Sequence, residues 1–451
     1  MQTGARLKRL RIDKFRNVAP GTELVFHDGF NVLLGQNGTG KTTLLNLIAA
    51  VVRCDFSALK ETEFALSYEL DFGSEALEVE IEIANLRDPS TDRSIPTAAL
   101  RQAGVDPILG RRDRSSLEWS YRIAFHVDEG QDRWEIKASA LGAMLSKVGP
   151  VRVETPLPLV APFDNEFFGS AIMDAIVPTG ISDTIEKTVA AHLELILNGG
   201  RFDEALGAVQ SITEGDVVTR PGNPRRASVF FQRKVGGEEA PSATYTYAPD
   251  QIWTYLEEEE PALVGRESIT VPQTKLSFLA EAVRLLGFKN AEMIMRLISK
   301  AVTDGSEELH YSKFGFAFTL EDGSIITYEL LSYGQKRLLA FLYYAAANPD
   351  IVIADELVNG LHYDWIEACL ETIRDRQSFL TSQNPVLLDF LPFQSAEEVQ
   401  QTFILCRREV KDGHVQLSWT NMSDKSAESF FRSYRTEALH VSEILRARGL
   451  W

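Results

Sequence analysis

The chain has 451 residues, 44% hydrophobic and 24% charged, which argues against disorder and leaves length for about three average domains. A formal net charge of −18 excludes a protein whose whole surface embraces nucleic acid, while leaving room for a local basic groove. Cys54, Cys369 and Cys406 are widely spaced, so a disulfide framework or zinc site is not expected. With no signal-like or membrane-length apolar run, a soluble cytoplasmic protein with no membrane partner is expected.

Residues 6–34 read as strands, with Leu7, Leu10 and Ile12, a turn at 19–22, Leu24 to Phe26, and then Phe30 to Leu34. Directly after this last apolar run, Gly35 and Gly40-Lys41-Thr42 satisfy the pattern G-x-x-x-x-G-K-[ST]. A helical pattern follows, with Leu44, Leu45, Leu47, Ile48 and Val51. Glycines allow the backbone to turn its N–H groups around phosphate oxygens, and the helix N-terminus adds positive potential. Gly35, Asn37, Gly38, Gly40, Lys41, Thr42 and Thr43 are therefore the candidate phosphate-binding set. Lys41 is expected on the β- and γ-phosphates, and the Thr42 hydroxyl on Mg²⁺.

Residues 64–86 alternate, with Phe64 to Phe72 and then Leu77 to Ile83 interleaved with Glu78, Glu80 and Glu82; a hairpin around Gly73-Ser74 is expected. A further hairpin is expected over Leu117 to Lys137. The linker between them carries Arg93, Arg101, Arg111, Arg112 and Arg114, which reads as a solvated loop or as a local basic patch for DNA. Pro156, Pro158 and Pro162 mark a boundary. Past it, Thr184 to Leu197 reads as an amphipathic helix and Leu276 to Ala301 as another, with Met293 and Met295 in its core. The basic loop Arg220 to Arg226 and the acidic run Glu257 to Glu260 read as solvated surface. Residues 311–330 return to a hairpin pattern.

Ser332 and Gly334 precede a helical run from Leu338 to Ala347, a setting in which an anion can be bound. A short apolar strand then closes on Asp355 and Glu356. Asp355 suits Mg²⁺, and Glu356 is placed to take a proton from, or orient, an attacking water. A third strand, Gln377 to Ser382, ends at Gln383-Asn384-Pro385. The tail reads as the strand Thr402 to Cys406, a short hairpin and a helix from Ala427 to Arg448.

This order of parts resembles the ABC-type ATPases of the SMC, RecF and OLD group, nearest to the compact AAA-labelled ATPases of bacterial antiphage systems such as OLD-like proteins, Septu and PARIS. The resemblance covers residues 5–53 and 311–390. It implies an α/β ABC-ATPase head, a mixed sheet plus an antiparallel ribbon with helices on both faces, carrying a long α+β insertion. The expected lobes are 1–150, a mainly helical insertion 151–310, a second ATPase lobe 311–400 and a tail 401–451. By position, Gly35 to Thr42 is the Walker A loop, and Asp355 and Glu356 form Walker B. Ser332, Gly334 and Gln335 lie in the signature that meets the γ-phosphate of a second protomer. Arg16 falls where the group often places an arginine near the phosphates, and His362 falls in the segment that crosses the dimer seam.

ATP would then close a head-to-tail pair and hydrolysis would reopen it. Three positions depart from the group: Leu357 replaces the usual Pro, Tyr333 a common Gly, and Gln383 the usual switch His. A Gln amide can donate to a γ-phosphate oxygen but cannot titrate, which implies slow turnover and a long-lived closed state. A Q-loop glutamine has no diagnostic place, with Gln102 and Gln131 available. The 68 residues after Gln383 are too few for a fused Toprim nuclease, so a sensor or scaffold with a separate effector such as a nuclease is expected. The alternative is a DNA repair or maintenance ATPase of RecF/SMC type that binds DNA directly.

Overall fold

The computed structural model describes residues 5–71, 78–87, 117–127, 132–139, 141–148, 153–157, 162, 202, 230–234, 242–244, 249–263, 266–303, 306–311, 315–411, 413–436 and 438–450. The fold is α/β, with parallel and antiparallel strands and interspersed helices. Two compact units divide the chain: residues 1–27, 34–196 and 397–427 form the first, and 28–33, 197–396 and 428–451 the second.

In the first unit, eight antiparallel strands form one sheet. Arg6–Phe15 pairs with Thr22–Val25 on one side and Phe64–Asp71 on the other. The sheet continues through Glu78–Arg87, Leu117–Val127, Asp132–Ser139, Gly142–Val148 and Val153–Leu157. Period-two alternation explains it: Leu66, Tyr68, Leu70, Val79, Ile81, Ile83, Ile123 and Ile136 are all buried on one face. On the acidic side, Arg122 gathers Glu82 (2.7 Å), Glu135 (3.1 Å) and Glu80 (3.4 Å), which lessens the repulsion within the carboxylate row. The basic first strand is matched likewise, Lys8 to Asp71, Arg9 to Glu23 and Lys14 to Glu63. The same unit holds the helix Lys41–Val52 and the hairpin Phe403–Lys411/His414–Asn421.

The second unit holds three parallel strands. Ile351–Ala354 lies beside Gln377–Thr381, which lies beside Phe30–Leu34, pairing with its residues 30–33. The first two strands are buried throughout, as strands covered on both faces are. Their carboxyl ends lie side by side, Ala354 against Leu380 and Thr381 against Leu33. Tyr344 on the helix Tyr333–Ala347 supports the outer strand: its hydroxyl accepts from Ile353 N (2.8 Å) and donates to Ile353 O (3.2 Å). An antiparallel sheet spanning residues 230–327 completes the unit.

Two expected helices differ. The segment 276–301 is a helix only over Ser277–Leu286, and Asn290–Thr303 is a strand. Gly287, at φ +71°, ends the helix, and beyond it Ala291, Met293 and Met295 are buried at period two, not 3.6. The tail helix is two helices, Asp424–Tyr434 and Val441–Ala447, the second started by a capping box between His440 and Glu443. Residues 151–310, expected to be mainly helical, contribute six strands among the described residues. The acidic run Glu257 to Glu260 lies within the helix Asp250–Leu263. The expected helix 184–197, the basic loop 220–226, the arginines of residues 93–114, and Gln102 and Gln131 lie outside the described residues. Among the described residues no helix is long and apolar enough to cross a membrane.

Candidate nucleotide site

In the first unit the chain turns sharply through the glycine motif. Gly35, Gly38 and Gly40 have φ of +148°, +79° and +86°, conformations that L side chains rarely adopt. Two of them are also pressed against neighbours. A Cβ on Gly35 would lie 2.2 Å from the Cys406 carbonyl oxygen, and one on Gly40 would lie 2.8 Å from Leu417 Cδ1. Gly40 is the N-cap of Lys41–Val52, whose first turn carries no acidic residue to oppose an anion. Lys41 Nζ folds back over the loop and donates to the carbonyls of Gly35 (2.7 Å) and Gln36 (3.1 Å). Asn37, Gly38 and Thr42 are exposed, while Thr43 is half-buried.

The tail hairpin backs this loop, a role that the sequence did not disclose. Trp419, buried, donates its indole N–H to the Thr39 carbonyl (3.1 Å), and Thr39 in turn donates its hydroxyl to Gln36 O (2.7 Å). Burial pushes the Cys406 thiol up to about 12 despite the charge of Lys41, so it is a packing residue and not a nucleophile. The same hairpin holds the turn that carries Arg16. Leu417 N donates to Asn17 O (2.8 Å), Ala19 N to Leu417 O (2.9 Å), and Asn17 Nδ2 to Val415 O (3.2 Å). Arg16 is exposed at φ +47° and lies over the Phe15 ring at 5.2 Å. Leu417 thus touches both the Arg16 turn and Gly40. Trp419→Phe keeps the ring and removes the donor; nucleotide affinity is expected to fall several-fold, with a stability loss of about 1–2 kcal/mol measured in urea. Unchanged affinity would detach the hairpin from the site.

In the second unit the acidic pair follows the buried strand Ile351–Ala354. The Thr381 hydroxyl donates to Asp355 Oδ1 and accepts from Glu356 N (3.0 Å), so one side chain of the neighbouring strand fixes both residues. Glu356 sits at φ +50°, left-handed for a residue with a Cβ, at a cost of about 1–2 kcal/mol. That bend turns its carboxylate toward Gln383, whose main-chain N–H donates to Glu356 Oε2 at 3.0 Å. Gln383 therefore meets Glu356 through its backbone, and the residue itself is exposed.

Ser332 and Gln335 form a capping box at the start of Tyr333–Ala347: Ser332 N donates to Gln335 Oε1 (2.8 Å), and Gln335 N to Ser332 Oγ (3.4 Å). Gly334 is required by packing, since a Cβ there would lie 2.7 Å from the Gly360 carbonyl oxygen. His362 caps the helix Tyr363–Thr372, is exposed, and lies 3.8 Å from Asp364. The structure thus gathers Asp355, Glu356 and Gln383 at one set of strand ends. It places Gly334 against the turn that follows the acidic pair, with Ser332 and Gln335 paired to each other at the start of the same helix. Two partners escaped the sequence reading: Thr381, and Arg337, a buried arginine that donates to the Glu356 carbonyl (2.5 Å). Arg337 follows Gln335 and Lys336 in its helix, so no local sign set it apart from a solvated charge.

Residues 268–389 match a family model described as "AAA domain, putative AbiEii toxin, Type IV TA system", and residues 9–124 match a second one described as "AAA domain". Lys41 lies within the second of these matches and Glu356 within the first. A stretch of 42 residues is 52% identical to the DNA replication and repair protein RecF of Shewanella loihica, covering 9% of this chain and 11% of that protein. An SMC head bound to the C-winged helix domain of ScpA overlays with a TM-score of 0.38 at 12% identity, over 93% of this chain and 98% of that one. The SMC head domain from Thermotoga maritima gives 0.35 at 13% identity, over 93% and 99%.

Proposed function

We propose that the chain binds and hydrolyses ATP as an ABC-type ATPase and works as a head-to-tail pair of copies. The observation that carries this reading is the set of three adjacent parallel strands whose carboxyl ends lead into Gly35, the Asp355–Glu356 pair and Gln383. The loop from Gly35 to Thr43 takes the phosphates on main-chain N–H groups and the positive end of its helix. Lys41, folded over two loop carbonyls, exchanges those contacts for phosphate oxygens. Glu356 takes the proton of the attacking water. With Oε2 held by Gln383 N–H, Oε1 is the oxygen offered to that water.

Thr42 offers a hydroxyl and Asp355 a carboxylate, oxygen donors of the type that suits Mg²⁺. Among the described residues no group of three or more His, Cys, Asp or Glu competes as a metal cluster. Bound there, Mg²⁺ would neutralise charge on the phosphates. The Thr381 hydroxyl fixes the orientation of Asp355 for that task.

Self-association draws support from the residues that flank Ser332, Leu330 and Tyr333, which are 71% and 57% exposed. In this reading Ser332, Gly334 and Gln335 serve the nucleotide of the second copy, with His362 at the seam. Light scattering tests it. With Mg²⁺ and a non-hydrolysable ATP analogue the mass of the wild type should double, and Ser332→Arg should remain at its starting mass. A mass independent of nucleotide would contradict the pair.

For the biological role, we propose the sensor or scaffold subunit of an antiphage complex with a separate effector such as a nuclease. The toxin–antitoxin wording of one matched model is in keeping with it. The stretch shared with RecF favours a second reading, a DNA maintenance ATPase that binds DNA directly. Copurification of the native complex separates them: a stoichiometric effector subunit supports the first, and salt-sensitive duplex binding by the isolated chain the second.

A further inference from the structure

Arg337 lies on the helix Tyr333–Ala347, five residues past Ser332, and is 5% exposed. Among the described residues its acceptors are main-chain carbonyls, Glu356 O from Nη2 at 2.5 Å and Leu357 O from Nε at 3.2 Å. Its guanidinium stands over the Phe202 ring at 4.9 Å. A buried cation needs strong partners, and here they are the two carbonyls at the left-handed bend of Glu356. The planar fork spans both, which a lysine cannot do.

The same helix touches the same turn a second time. Gly334 is within Cβ distance of the Gly360 carbonyl, and the Tyr333 ring lies against Gly360 itself, at φ +77°. The segment Glu356–Gly360 is therefore held at both ends by one helix, through Arg337 at the start and Tyr333-Gly334 at the finish. The geometry points to Arg337 as a positioning residue that transmits the state of Ser332 and Gly334 to the carboxylate of Glu356. Any displacement of the helix N-terminus moves the carbonyl of Glu356, and with it the carboxylate aimed at Gln383. The inference rests on Glu356 acting as the base.

Steady-state kinetics on the full chain test it. In Arg337→Lys, kcat should fall about tenfold while KM and nucleotide affinity stay within about twofold. In Arg337→Ala, added guanidinium should restore part of kcat and leave KM unchanged. The double variant Ser332→Ala/Arg337→Lys should lose less than the product of the single losses, because both act through one path. Unchanged kcat in Arg337→Lys, or strictly multiplicative losses in the double variant, would overturn the inference. Should Arg337→Ala fail to fold, Arg337→Lys and the double variant decide alone. A wild type that does not hydrolyse ATP would instead remove the functional reading, a distinct failure.

Discussion

Glu356→Gln is expected to lower ATP turnover by about tenfold or more while nucleotide affinity stays within about twofold. The substitution keeps the size of the side chain and leaves an amide oxygen to accept the Gln383 N–H. What it removes is an oxygen able to take a proton. The left-handed backbone at φ +50° is already fixed by Thr381 at Glu356 N and by Arg337 at Glu356 O, so the bend should survive. Phosphate release and the Kd of a fluorescent ATP analogue are the paired readouts. Retained turnover would remove Glu356 from its role; lost affinity would make it a binding residue instead.

Gly35→Ala is expected to do more structural harm than any other single methyl in the loop. The new Cβ would meet the Cys406 carbonyl oxygen at 2.2 Å, a main-chain atom in the buried first part of its strand. Backbone strain at φ +148° adds to that collision. Together they should destabilise the first unit by about 3–5 kcal/mol and abolish nucleotide binding. Gly38→Ala is the matched control. It has nothing within 4 Å and carries only the penalty of φ +79°, about 1–2 kcal/mol. Equal urea midpoints for the two variants would show that the Cys406 strand does not press on the loop.

The contrast between these two glycines also marks how far the sequence could be read. The glycine spacing disclosed the loop because its chemistry is local, and the alternation of Phe64 to Ile83 disclosed a hairpin because period two is a local signal. Residues 276–301 misled because Leu279, Val283 and Leu286 do follow a helix, and the change of period falls beyond Gly287. What fixes the site was beyond reach: Trp419 lies 380 positions from Thr39, and Thr381 lies 26 from Asp355. Trp419 sits in no motif, and the run Thr381-Ser-Gln-Asn-Pro385 gave Thr381 no role of its own. Their roles exist only once the strands pair, as does the choice of the Gln383 backbone to hold Glu356. Gly334 teaches the same point, since its lack of a side chain is demanded by Gly360 irrespective of any nucleotide.

The loop from Gly35 to Thr42 is proposed to bind ATP, and Glu356 to serve its hydrolysis. Phosphate release from ATP by the wild type and by Lys41→Ala, each with and without Mg²⁺, tests it most directly. Release by the wild type should require Mg²⁺ and be almost lost in Lys41→Ala. Equal rates in the two proteins, or no release by the wild type under any of these conditions, would contradict it.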